Sequence, residues 1–346
     1  MFIRWAISLI MVSLATASSA AIPRLLDVKP TAGWQHAATG TVIMPLLAGM
    51  TRKSIIDFST YELDMALDYR TQATGTEATI YLFRPAMASL PIWFDRSRNA
   101  IETNKRLFPN GVHGGEPVVT VETTATPAGL KSVYSADGMA RSTALAMLPV
   151  GRWLIAVRIT SMTLDTAALD LQLTAIIQAI RFPADRAIAT AIQPVLPCLS
   201  PMMFSTAKQV HQNQTESMTE ALLGRAMLAA LANDVKPAPL QAPLCLDASS
   251  TASFGVYREL ASNESYIIAL ADGGVSISVE PSLAGQLGTS RIKRYSVTQH
   301  DLARDMVFAP YNHLPAPEVV VQMTGKARPI SVTERGSSTT NITIGQ

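Results

Sequence analysis

The chain has few cysteines, two in 346 residues, and few charges, with Asp, Glu, Lys and Arg together at 16%. Globular chains usually carry ~25% charged residues. Here alanine, threonine and methionine fill the gap. The formal net charge is +2, and losing Arg4 with a leader brings it closer to zero. Nothing in that balance calls for nucleic acid or an anionic membrane as partner. Cys198 and Cys245 stand 47 residues apart and form no C-x-x-C pair. That removes the usual redox motif, and too few ligands lie nearby for a metal site. An even cysteine count in an exported chain predicts one disulfide, and closing a loop of that size stabilises a fold by ~4 kcal/mol.

Long hydrophobic runs are also missing, apart from Trp5–Ala15 near the N-terminus. Arg4 precedes that run and the small residues TASSAA follow it. This is the order of a secretory leader over residues 1–21, cleaved after Ala20 or Ala21. The run is shorter than the ~20 residues that cross a bilayer. The expectation is an exported protein, periplasmic or extracellular, with no transmembrane segment in the mature chain.

No catalytic signature is present: no H-E-x-x-H, G-x-S-x-G, P-loop or dinucleotide fingerprint. No cofactor is implied. A Ser-His-Asp triad assembles from distant positions and leaves no such signature.

The chain length predicts two domains. The segment RFPADRAIATAIQPVLPCLSP from Arg181 to Pro201 holds four prolines and marks the seam, because proline neither continues a helix nor donates to a ladder. The expected division is a first α+β domain over 27–185, a linker over 186–197 and a disulfide-stapled α+β domain over 198–335. A flexible tail over 336–346 follows.

In the first segment, Thr39–Met50 and Ser54–Arg70 read as strand. TQATGTE is a turn with Gly75 at positive φ, and Ala78–Arg84 returns as the second arm of a hairpin. The stretch from Ser89 to Lys105 reads as a helix with Pro91 in its first turn. Strands follow at Val118–Thr123, Gly129–Ser135 and Ser142–Met147. In Arg152–Thr160, Trp153, Ile155, Val157 and Ile159 alternate with Leu154, Ala156, Arg158 and Thr160. Thr163 or Asp165 caps the next helix, whose stripe is Leu169, Leu173, Ile176, Ile177 and Ile180.

This order predicts an antiparallel sheet covered by helices. Tyr81–Pro85 (YLFRP), the helix from Trp93, Trp153–Thr160 and Leu169–Phe182 resemble the PsbP-like fold across roughly Thr39–Phe182. The resemblance implies a small binding or assembly module without a catalytic centre.

In the second segment, Ser217–Ala232 reads as a broadly apolar helix, and VKPAPLQAPLC returns to Cys245. Strands follow at Ser253–Leu260, Tyr266–Leu270 and Val275–Val279, with a hairpin at Asp272-Gly273. The stretch SVTQHDLARDMVFAPY reads as a short helix, and Val319–Met323 and Ile330–Glu334 as strands.

Three clusters stand out. His113 and Glu116 flank Gly-Gly in a loop, which makes either an ordinary turn, a weak acid–base pair or a weak metal site. His300, Asp301, Asp305 and His313 are either a solvated helix face or a two-carboxylate metal site. Arg84 and Arg158 interrupt apolar strands. They either grip a carboxylate or phosphate from one face, pair with Asp68 or Asp95, or extend to the edge. The expectation is a non-enzymatic binding or envelope-assembly protein for an unknown protein or small-molecule ligand. The rival is an exported hydrolase or metal-dependent enzyme using the loop histidines.

Overall fold

The computed structural model describes residues 22–59, 61–120, 123–184, 192–210, 243–282, 293–334 and 342–344. The leader, the Ser217–Ala232 helix and the first half of the proposed linker lie outside the described residues.

Two antiparallel sheets make up most of what is described. The long strands of the first are β1 (Met50–Asp57), β2 (Asp64–Thr71), β3 (Thr76–Phe83), β4 (Leu130–Ser135), β5 (Ser142–Val150) and β6 (Trp153–Ser161). Their order across the sheet is β1-β2-β3-β6-β5-β4, with short strands extending the ends to ten. The β2–β3 hairpin turns as expected, with Gly75 at φ 58°.

One face buries Ile80, Leu82, Ala144, Ala146, Ile155, Val157 and Ile159 under helix α2 (Thr166–Ala179). Asp165, not Thr163, caps that helix by accepting from the Ala168 N–H at 2.9 Å. The whole predicted stripe, Leu169, Leu173, Ile176, Ile177 and Ile180, is buried. Period-two and period-3.6 patterns meet here on one apolar seam.

The second sheet contains β7 (Leu244–Leu246), β8 (Phe254–Glu259), β9 (Tyr266–Leu270), β10 (Val275–Pro281), β11 (Tyr295–His300), β12 (Arg304–Tyr311) and β13 (Ser331–Glu334). They follow chain order, and short strands at both edges bring the total to nine. One edge is Leu196–Pro197, parallel to β7 and beside the Cys198–Cys245 disulfide, whose Cα atoms are 4.9 Å apart. The other edge is Ile342–Ile344, so part of the tail expected to fray is paired to β13. Its Ile-Thr-Ile alternation suits a strand.

Helix α1 (Leu90–Glu102) lies between the sheets. Its Ile92, Trp93 and Phe94 share one core with Phe83, Leu130, Met147 and Leu154 of the first sheet and with Tyr257 and Ala269 of the second. Arg96 is buried and bonds two carbonyls of the second sheet, Ala271 at 3.0 Å and Ala252 at 3.1 Å. Asp95, a candidate partner for Arg84 or Arg158, instead accepts from the Tyr257 hydroxyl at 2.6 Å. Burial raises both groups' pKa values.

Four expectations need correction. The described chain is mostly sheet, with three helices covering only parts of the faces, and the second sheet is nearly as large as the first. The stretch read as a short helix over 296–311 is the β11–β12 hairpin. Its Tyr295, Val297 and Phe308 alternate inward into the second core, and that period outweighs the local helix-forming charges. Val319–Met323 lies in helix α3 (Pro317–Thr324), opened by Pro317, which suits a first turn. The β9–β10 hairpin is present, but positive φ falls at Ala271 (47°) and Gly274 (87°) instead of at Asp272 and Gly273.

Candidate functional site

The first sheet's α1-side face changes character along its strands. Beneath α1 it is apolar. Further along, a polar row crosses β1, β2, β3 and β6 at Ser54, Asp68, Thr79 and Arg158, which stand directly opposite one another in register. A bulge in β1 between Arg52 and Ser54 inserts Lys53. Such a bulge turns consecutive side chains toward one face. Lys53, Asp68, Arg70, Glu77 and Thr79 line a depression of about 350 Å³ there.

The pairing decides what Arg158 can do. Asp68 already accepts the Ser54 hydroxyl at 2.6 Å and the Thr79 hydroxyl at 3.0 Å. Asp95 is engaged by Tyr257, and Arg70 pairs with Glu77. Arg158 is half-buried, and among the described residues its guanidinium makes no hydrogen bond or ion pair. Tyr81, two residues beyond Thr79 on the same face, has its phenol pKa raised by burial, with the Arg158 charge opposing that rise. Arg158 is thus a half-buried cation with no direct partner among the described residues, standing opposite Thr79, which lines the depression. A planar fork of that kind suits a carboxylate or phosphate.

Arg84 is not its companion. It follows the end of β3 and has the parity of the face under α2, while Arg158 stands opposite Thr79 on the other face. Arg84 also has partners of its own.

His113 and Glu116 are both exposed and make no side-chain hydrogen bond with the described residues. Their glycines have a structural reason. Gly114 and Gly115 take φ values of 82° and 92°, and a Cβ on Gly115 would stand 1.9 Å from the Tyr134 ring. Gly115→Ala should therefore cost about 1–3 kcal/mol through backbone strain and overpacking, measured by urea unfolding. An unchanged midpoint would show that the turn relaxes freely.

The His300 cluster divides. His313 is exposed in the loop before α3, and Asp301 sits in the β11–β12 turn, 3.6 Å from Arg304. His300 and Asp305 are neighbours in register, with His300 Nδ1 2.7 Å from Asp305 Oδ1. On its other side, His300 Nε2 lies 2.9 Å from the Ser278 hydroxyl of β10. Ser278 was missed because only the turn lengths of two successive hairpins decide which serine meets the imidazole. Among the described residues, no group of three or more His, Cys, Asp or Glu side chains is placed to hold a metal ion.

His36 is fully buried between Thr39 and the Glu62 carbonyl, with its ring 4.5 Å from Trp153. Burial lowers its pKa, so it packs as a neutral group. His211 lies outside the described residues.

No family model, curated protein or solved structure matches the chain.

Proposed function

We propose that this is an exported binding protein that holds an anionic group, a carboxylate or phosphate, on the polar face of its first sheet. The observation that carries this reading is the half-buried, unpartnered guanidinium of Arg158. Keeping such a charge partly out of water is costly unless something compensates it. Neighbouring acids are committed elsewhere, so an anion from outside is the natural partner.

Export is supported by the leader-like N-terminus and the disulfide. Among the described residues no helix is long and apolar enough to cross a membrane. The succession of hairpin, helix, meander and closing helix supports the PsbP-like reading of Thr39–Phe182, and with it a binding or assembly role.

The test is calorimetric titration of the mature protein with citrate and with inorganic phosphate. Arg158→Ala should weaken binding at least tenfold, about 1.4 kcal/mol. Arg158→Lys should recover only part of that, since an ammonium cannot make the paired contact. Equal affinity in wild type and Arg158→Ala would remove Arg158 from the site.

A further inference from the structure

We propose that Ser278, His300 and Asp305 form a second site, on the second sheet, able to cleave small carboxylic esters through a covalent acyl-serine. The three residues come from adjacent strands, β10, β11 and β12, and project from one face. The order of contacts suits a nucleophile. Asp305 Oδ1 lies 2.7 Å from Nδ1, and the Ser278 hydroxyl lies 2.9 Å from Nε2. A proton held on Nδ1 by the carboxylate leaves Nε2 as the acceptor for the Ser278 O–H. The Asp305 side chain is 5% exposed and that of His300 15%, so the carboxylate is shielded while the imidazole is reachable. Ser278 itself is half-buried.

A further donor lies close by. Ser276 is two residues along the same strand and face, directly opposite His300 in register. Its hydroxyl is fully buried and, among the described residues, has no hydrogen-bond partner. A buried donor left without an acceptor is uncommon and costs stability. It is positioned to support developing negative charge on an oxygen beside Ser278. Ile267 and Thr298, the cross-strand neighbours of Ser278, are half-buried and would form a shallow floor suited to a short acyl group.

The chemistry balances without any further reagent. Ser278 Oγ bonds to the ester carbonyl carbon and its proton passes to His300 Nε2. The carbon–alkoxy bond then breaks, and the leaving alcohol takes that proton. Water attacks the acyl-serine, giving its proton to Nε2, and collapse returns the proton to Ser278 Oγ. The products are one carboxylic acid and one alcohol.

The experiment treats the mature, disulfide-intact protein with a fluorophosphonate probe, maps the adduct by peptide mass spectrometry and follows p-nitrophenyl acetate hydrolysis. The expected result is one adduct, on Ser278. His300→Gln should slow labelling about 100-fold or more. Ser276→Ala should slow ester hydrolysis about 100-fold or more. Absence of an adduct on Ser278 in the folded wild type would overturn the proposal. So would equal labelling in urea-unfolded protein, where the three residues are no longer together. Both readings use the wild type, so a variant that fails to fold leaves the test intact. The site is remote in sequence and sheet from Arg158, and either reading can fail without the other.

Discussion

Arg258→Met should lower the unfolding free energy by about 3–5 kcal/mol, because it strands a buried carboxylate. Arg258 and Asp247 are paired at 3.3 Å with side chains 2% and 1% exposed. Asp247 also accepts from the Ser249 N–H and hydroxyl and from the Met202 N–H. Arg258 donates to the Ser262 and Ser200 carbonyls and stands opposite Cys245 in register. The pair therefore fastens the disulfide-linked strand at Leu196–Pro197 to the body of the second sheet. Urea denaturation of the oxidised protein checks the magnitude. A loss below about 1 kcal/mol, the scale of an exposed pair, would mean that water reaches Asp247.

The same carboxyl sets an acid limit. Burial works against its charged form, but the hydrogen bonds from Ser249, Arg258 and Met202 outweigh it and hold its pKa below the ordinary value. A depressed folded pKa gives stability that is present above the unfolded value and disappears as pH falls through the folded one. The staple region should loosen in acid.

Asp64 sets the opposite limit, and Asp64→Asn should stabilise the protein by up to about 4 kcal/mol at pH 8. Its pKa is raised to about 7, first by burial, then by Asp272 on the β9–β10 turn and by Asp57. That turn is docked on the first sheet: the Ala86 N–H bonds the Gly274 carbonyl at 2.9 Å, and a Cβ on Gly274 would stand 3.1 Å from the Pro85 Cα. The folded chain keeps the Asp64 proton to about pH 7, while the unfolded chain releases it near the ordinary carboxylate value. Between those values folding takes up a proton, so wild-type stability falls as pH rises from about 4 to 7 and then levels. Asparagine cannot ionise and should abolish that slope. Denaturation midpoints from pH 5 to pH 8 check it, and parallel profiles for the two proteins would mean that Asp64 ionises freely.

What could be read from residues alone was whatever repeats at a fixed period. The α2 stripe, the alternation of Trp153–Thr160, the Gly75 turn and the Cys198–Cys245 bridge all follow from local pattern or cysteine arithmetic. What escaped depends on register or on competition between periods. The hairpin around Asp301 carries helix-forming residues, yet Tyr295, Val297 and Phe308 are buried in alternation. Val319–Met323 has strand formers, yet Pro317 and the burial of Val320 fix a helix. Arg158 was noticed as a charge in an apolar strand. Its freedom was not legible, because it depends on the register that lets Ser54 and Thr79, on the strands flanking β2, reach Asp68 before Arg158 of the distant strand β6. The Ser278–His300 contact hides for the same reason.

The most direct test of the anion-binding account is the side-chain 15Nε–1Hε resonance of Arg158, assigned with Arg158→Lys and followed as citrate is added to the protein. The account predicts that this resonance moves and saturates with binding while that of Arg96, committed to two carbonyls, stays in place. Citrate that binds without moving the Arg158 resonance would contradict it.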